Sequence, residues 1–374
     1  METDFLSYFP CVYCVRDKYQ IIFITKEAGA GAVIIGGKRY TDNVCGVVRS
    51  MSHVHRVEIN AELLDEAKRY TVEFKYIPNR EPYRPKTEYT KRAEFNFRPV
   101  PDEGEINCYI ISDTHGNIHE PSIVGQYFGD KLDLLILGGD MGRNAPDEQG
   151  LLAISALASN IAGGEVPVIF MRGNHDTRGA FAERLPEYVG TDNGKTYFPI
   201  RLGRLWFVIL DPGEDKNDDH PDYGDIADYQ PMRNEQVIML EEMIENSRNE
   251  YDAEGVELRI ALCHVPFVRY RNPCPEIYEK WAELLNKMEI NAMLCGHTHG
   301  VRIISPEKAM EKSVMPTFPT VECSELKRDE VSLYKGTALT IEKKQMKVRF
   351  TDIYHNVISE HIISINTEKE TDGS

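Results

Sequence analysis

Gly173-Asn174-His175-Asp176 follows, after Arg172, the apolar run Val166-Pro167-Val168-Ile169-Phe170-Met171. That run reads as a buried strand, and a strand that halts at a glycine presents its next polar groups at its carboxyl end. In an open α/β sheet that end is where ligands bind. One such tetrapeptide decides little, but the chain repeats the arrangement four more times. Cys108 to Ser112 leads into Ser112-Asp113-Thr114-His115-Gly116-Asn117, and Asp133 to Leu137 into Gly138-Gly139-Asp140. Arg259 to Cys263 ends at His264, and Ala292 to Cys295 leads into Gly296-His297-Thr298-His299-Gly300. If the five strands lie in one sheet, carboxylates, imidazoles and an amide meet at one edge.

Helices are expected between these strands at Ser122 to Phe128, Glu148 to Ala162, Ala180 to Tyr188, Asn234 to Ser247 and Glu276 to Met288. Gly163-Gly164 is a stop signal for the second of them. Trp206 to Leu210 reads as another strand. Two stretches break the rhythm. Pro212 to Pro231 is acidic and rich in Gly, Pro and Asp; Asp211 to Asp228 reads as a solvated mobile loop, with a further cation site or a lid over the site as the sharper readings. Val301 to Lys335 reads as irregular. Thr337 to Ile341, Met346 to Thr351 and Val357 to Ile365 read as a β-meander.

Upstream, residues 15 to about 100 look all-β. Tyr19 to Thr25, Ala32 to Ile35, Val44 to Val48, Val54 to Ile59, Tyr70 to Ile77 and Tyr89 to Phe97 are short β-branched and aromatic runs between turn residues, the pattern of a sandwich. Leu64-Asp65-Glu66-Ala67-Lys68-Arg69-Tyr70 resembles the tyrosine-corner stretch of immunoglobulin- and fibronectin-like domains, with Tyr70 in the core. Pro99 to Gly104 reads as a linker. The expected organisation is therefore residues 1–100 as an all-β sandwich domain, residues 105–366 as a second domain and residues 367–374 as a disordered tail.

The chain has 374 residues, 41% hydrophobic and 28% charged, and a formal net charge of −17. That acidity argues against a general nucleic-acid or anionic-membrane surface. No run approaches the ~20 apolar residues of a membrane helix, and no signal peptide is visible in Met1 to Pro10. The 8 scattered cysteines point to reduced thiols and a cytoplasmic protein. Cys11 and Cys14 form a CxxC pair with no second pair to complete a zinc site, and are read as structural.

Mixed Asp, His and Asn ligation suits Mn, Fe or Zn and is too nitrogen-rich for Ca or Mg. About seven candidate ligands exceed what one ion uses, whereas two ions sharing a carboxylate would absorb them. The set Asp-x-His, Gly-Asp, Gly-Asn-His-Asp, a lone His after a strand and Gly-His-x-His resembles the calcineurin-like metallophosphoesterase superfamily. All five blocks stand in its order, from about Ile106 to Ile341.

The resemblance implies an α/β (α+β) fold, a metallophosphoesterase β-sandwich flanked by helices. With the all-β N-terminal domain, the whole is similar in architecture to purple acid phosphatases. It further implies that Asp113, His115 and His299 hold one divalent transition-metal ion, that Asn174, His264 and His297 hold another, and that Asp140 bridges them. A hydroxide between the ions would attack phosphorus in line. His175 would contact the phosphate and protonate the leaving oxygen, and Asn117 and Asp176 would support the ligands. The implied activity is hydrolysis of a small phosphorylated substrate, a phosphomonoester or small phosphodiester.

Three residues after Asp140 stands Arg143, where protein Ser/Thr phosphatases have an Asp and purple acid phosphatases a metal-bound Tyr. His175 therefore lacks the usual carboxylate partner, and Arg143 is left between a phosphate contact and a structural ion pair. Arg178 is open in the same way. His53, His55, His119, His220, His355 and His361 are read as having no role in the chemistry. Two alternatives to the hydrolase stay open here: a non-catalytic scaffold on the same fold, and a nuclease, which the acidic balance disfavours.

Overall fold

The computed structural model describes residues 3–267, 274–306, 315–326 and 333–365. Its first strands are β1 (Cys11–Val15), β2 (Lys18–Ile35), β3 (Lys38–Thr41), β4 (Asn43–Val44), β5 (Val47–Val48) and β6 (Ser52–Asn60). The helix α1 (Ala61–Ala67) and the strands β7 (Arg69–Tyr76) and β8 (Tyr89–Asn96) follow. Strands and helices then alternate: β9 (Ile106–Ile111), α2 (His119–Gly125), β10 (Leu134–Leu137), α3 (Glu148–Ala162), β11 (Pro167–Phe170) and α4 (Leu185–Tyr188). The alternation continues through β12 (Pro199–Leu202), β13 (Leu205–Leu210), α5 (Tyr229–Glu245), β14 (Leu258–Cys263), α6 (Pro275–Lys287) and β15 (Ala292–Cys295). Last come β16 (Gly300–Ile304), β17 (Thr320–Ser324), β18 (Gly336–Ile341), β19 (Gln345–Thr351) and β20 (Val357–Ser364).

The five signature strands do not share one sheet. β9, β10 and β11 lie in a 12-stranded sheet of order β20-β19-β18-β9-β10-β11-β1-β2-β7-β8, in which β3 and β6 also pair with β2. β14 and β15 lie in a second sheet, β12-β13-β14-β15-β17-β16. Alternation along each strand explains how the sheets meet. Ile110, Ile136 and Ile169 of one sheet pack with Phe207, Ile260 and Leu294 of the other in a single core. The opposite faces carry Tyr109, Leu135 and Val168 onto Leu151, Ile154 and Leu157 of α3, and Trp206, Ala261 and Met293 onto Leu240 of α5 and Trp281 of α6. Strands covered on both sides read as unbroken apolar runs, which is why the sequence shows them but not their division between sheets. The result is a β-sandwich flanked by helices.

Local signals set the helix ends. In α3 the Asp147 side chain accepts from the Gln149 amide, and Gly163 closes the helix at φ 60°, a left-handed cap that glycine adopts without a Cβ clash. In α1 the Asn60 side chain accepts from the Glu62 amide. This helix fills the stretch compared above with a tyrosine corner. Tyr70 is buried, and its hydroxyl donates to the Gly164 carbonyl at 2.8 Å, not to its own segment.

The N-terminal segment is mostly strand, interrupted by α1, and its strands other than β4 and β5 share the 12-stranded sheet with β9, β10 and β11. β1 pairs in parallel with β11, Val12 opposite Pro167 and Tyr13 opposite Val168. Val12, Cys14 and Ile21 belong to the same inter-sheet core as Ile110 and Phe207. Cys11 and Cys14 are buried within β1, where burial pushes both thiols well above their ordinary range. Buried free thiols of this kind agree with the structural reading. β16 and β17 occupy part of the stretch read as irregular. The tail expected at 367–374 lies outside the described residues.

Candidate metal centre

The carboxyl ends of β9, β10, β11, β14 and β15 meet at one edge of the sandwich, and all seven candidate ligands come with them. Carboxylate and imidazole atoms of Asp113, His115 and His299 lie within 4.8 Å of one another, as do those of Asp140, His264 and His297. A third group, His115, Asp140 and His175, links the two. The Asn174 side-chain oxygen is 2.9 Å from His297 Nδ1, which brings in the seventh.

The turns that present these residues are tightly wound. Asp113, His115, Asp140, His297 and His299 all sit at positive φ, between 47° and 68°. Left-handed backbone costs an ordinary residue roughly 1–2 kcal/mol, and it clusters where a site needs it. The turns are cross-linked: the Asp113 amide donates to Gly139 O at 2.9 Å, that of His115 to Asp140 O at 3.0 Å and that of Gly296 to His264 O at 3.0 Å. A Cβ on Gly296 would stand 2.6 Å from Ser112 Oγ and 2.7 Å from Asp113 Oδ2, so only glycine fits there.

The hydrogen bonds on the far side of each ring fix what the near side offers. His264 Nδ1–H donates to the Gly138 carbonyl at 2.6 Å, which leaves a lone pair on Nε2. That atom is buried without a hydrogen-bond partner and faces Asp140 Oδ2 at 3.3 Å. His299 Nδ1–H points to the Leu326 carbonyl at 3.3 Å, so its Nε2 lone pair faces Asp113 Oδ1 at 3.6 Å and His115 Nε2 at 3.0 Å. Lone pairs aimed at carboxylates from several sides repel unless a cation lies between them. Burial opposes charge on His264, but Asp140 and then Asp113 outweigh it and push its pKa up to about 10. A proton is drawn to the place a metal ion would take. Burial pushes Asp113 up to about 6 and pulls His115 and His297 down to about 4. The donor set therefore fits divalent transition metals, with imidazoles oriented by backbone carbonyls in the usual manner.

Asp176 supports the turns. One carboxylate oxygen accepts from the Asp140 and Gly173 amides, both at 2.9 Å, and burial, reinforced by Asp140, pushes its pKa up to about 7. Asn117 lines a cavity of about 530 Å³ with His115, Arg143, Asn144, His175 and Leu326. In place of the missing carboxylate, His175 Nδ1 is held by the Arg143 carbonyl at 3.0 Å and by Asn144 Oδ1 at 3.1 Å. Burial, with the nearby Arg178 guanidinium, holds its pKa below the usual histidine value although Asp140 opposes this. The Arg143 side chain is exposed on the cavity wall and makes no ion pair among the described residues.

The acidic loop is the largest departure from expectation. Its base, Asp211 to Glu214, is buried and pinned, while most of 217–228 is exposed to solvent. Arg233 of α5, fully buried, donates to the carbonyls of Pro212 at 2.8 Å and Glu214 at 3.2 Å and pairs with Asp218 at 3.2 Å. The loop is thereby held against the site, where Asp215 comes within 3.7 Å of His297 Nε2 and Glu214 pairs with Arg178. Neither acid was singled out from the sequence, and no local pattern marks them. Outside the site, His53 pairs with Glu148 and His355 Nε2–H meets the Ile123 carbonyl.

Residues 106–301 match the sequence family described as calcineurin-like phosphoesterase. No curated protein matches the chain. Among solved structures, a purple acid phosphatase, PPD1 from yellow lupin (Lupinus luteus) seeds, superposes with a TM-score of 0.61 at 12% identity, over 96% of this chain and 74% of that one. PhoD superposes with a TM-score of 0.57 at 12% identity, over 97% and 90%. At such identities the likeness is one of fold.

Proposed function

The chain belongs to the calcineurin-like phosphoesterase family, and from that premise and the geometry of the centre we propose a two-metal hydrolase acting on a phosphomonoester or small phosphodiester. As a member of the family it is a metal-dependent phosphoester hydrolase. The proposal adds the metal count, the residue roles and the size of substrate.

The observation that supports it is the pair of ligand groups linked by a third, which shares His115 with one and Asp140 with the other. We assign Asp113, His115 and His299 to one ion, Asn174, His264 and His297 to the other, and Asp140 to both. Divalent cations there, Mn, Fe or Zn by ligand type, would supply charge for the phosphoryl oxygens and a water acidic enough to ionise near neutral pH. The protein's own contribution is placement. Asp176 fixes the turn that carries Asp140. The Arg143 carbonyl and Asn144 hold the ring of His175 by Nδ1, which leaves Nε2, once protonated, to meet the phosphoryl group, and the guanidinium of Arg143 lies in the adjoining cavity, where the rest of the substrate would fit. A small substrate agrees with a cavity of that volume.

Among the described residues no helix is long and apolar enough to cross a membrane. All eight cysteines are free thiols, which supports the cytoplasmic reading. We take residues 1–100 as a packing unit on which the catalytic part is built.

Metal analysis of the purified protein, with turnover of p-nitrophenyl phosphate by the wild type and by His175→Asn, tests this. Two equivalents of transition metal and a fall in kcat of roughly 100-fold or more are expected. Unchanged turnover would remove His175 from the mechanism, and a protein that retains no transition metal would overturn the two-metal assignment.

A further inference from the structure

We propose that Arg178 is a catalytic residue and that it makes this site select phosphomonoesters over phosphodiesters. This rests on the phosphoesterase reading and goes beyond it by choosing between the two substrate classes. Arg178 is fixed by an acid 36 residues away. Its Nε donates to Glu214 Oε1 at 2.6 Å and its Nη2 to Oε2 at 2.7 Å. Glu214 is 1% exposed and also accepts from Thr177 Oγ1 at 3.2 Å. A guanidinium forked onto a buried carboxylate has one orientation, and here it leaves Nη1 free of Glu214.

Nη1 lies 3.3 Å from His175 Nε2. The proton on the other ring nitrogen is committed to the Arg143 carbonyl, so Nε2 is an acceptor and Nη1–H donates to it. The His175 ring is 4.7 Å from that of His115, and its amide donates to Asp140 at 2.7 Å. Nη1 therefore stands at the rim of the ligand cluster, on the side where His175 meets the phosphoryl group.

The number of oxygens then decides the substrate class. A phosphomonoester dianion has three non-bridging oxygens and a diester has two. Two can face the ligand cluster in either substrate. The third exists only in the monoester, and Nη1 is the preset donor for it. A diester would set an esterified oxygen with little charge, and its organic group, against that guanidinium.

The test compares p-nitrophenyl phosphate with bis(p-nitrophenyl) phosphate on manganese(II)-loaded protein. For Arg178→Ala, kcat/KM on the monoester should fall roughly 10- to 100-fold, the range for one charge-assisted hydrogen bond, while the diester rate changes by less than about threefold. Because Arg178→Ala strands a buried carboxylate, Arg178→Ala with Glu214→Gln is measured beside it. Calorimetric titration with inorganic phosphate should show weaker binding by about tenfold or more in both variants. An equal loss on both esters in the double variant, or an unaltered phosphate affinity, overturns the proposal. A metal-loaded wild type that hydrolyses neither ester refutes the phosphoesterase reading itself; one that hydrolyses the monoester with no dependence on Arg178 refutes only the role given to Arg178.

Discussion

Gly296→Ala adds one methyl group, and the structure states what it meets. The new Cβ would lie 2.6 Å from Ser112 Oγ, 2.7 Å from Asp113 Oδ2 and 2.8 Å from His264 Nδ1. Contact at an ordinary distance of about 3.4 Å requires Asp113 to retreat by about 0.7 Å and His264 by about 0.6 Å. Neither can do so easily, since Ser112, Asp113 and His264 are all fully buried. His264 is tied to Gly138, and Asp113 accepts the His297 amide at 2.9 Å. Overpacking of this kind costs about 1–3 kcal/mol. Its effect on catalysis should be larger, because one ligand of each metal group moves at once and a displacement near 1 Å costs about 100-fold in rate. We expect kcat/KM on an aryl phosphate to fall roughly 100-fold, with metal content reduced. The control is Gly163→Ala, at φ 60° with open space around it. It should cost a similar ~1 kcal/mol through backbone strain and leave turnover unchanged. A Gly296→Ala protein that keeps both its metal and its rate would refute the claim that the ligand turns are packed to contact.

Other outcomes follow from the same structure. His55 is buried, with Thr25 Oγ1 at 3.1 Å from Nε2, and burial with His53 nearby holds its pKa down to about 3. Its folded value lies below the unfolded ~6.5, so the unfolded chain binds the extra proton. Stability is complete above about pH 6.5 and lost as pH falls towards 3, by about 2 kcal/mol at pH 5; denaturation of His55→Phe should lack that slope between pH 7 and 5. Arg233→Met releases the acidic loop and strands its buried carbonyls and Asp218, which should cost roughly 3 kcal/mol in urea denaturation and open 212–231 to proteolysis. Stripping metal with a chelator should lower stability by about 2.7 kcal/mol relative to protein with ion at 100 times its Kd; a thermal midpoint indifferent to chelator would contradict the ligand assignment.

What could be read in advance was whatever local pattern encodes. α3 runs over Glu148–Ala162 because Asp147 caps it and Gly163 ends it, and both signals lie within one turn of the helix. The strands before Asp113, Asp140, Asn174, His264 and His297 were legible because burial on both faces leaves an apolar run with a polar end. Which sheet each strand joins was not legible, because pairing is non-local and periodicity carries no address. The same reason hid β1, whose parallel partner lies more than 150 residues away, and drew attention to its cysteines instead. The pinning of the acidic loop was not legible because its anchor, Arg233, bonds backbone carbonyls, and such bonds leave no signature in the residues they hold. Glu214 and Arg178 meet only after the loop is pinned.

The pairing of β1 with β11 bears on how the protein could be shortened. A chain begun at residue 105 would strip the outer partner from β11 and leave the Pro167–Phe170 backbone as an open border of the large sheet, next to the turn that carries Asn174 and His175. Such a border, apolar and lacking a guard strand, is a template for self-association. The first hundred residues thus act as a selvedge, keeping the weave that carries the ligands from unravelling into its neighbours.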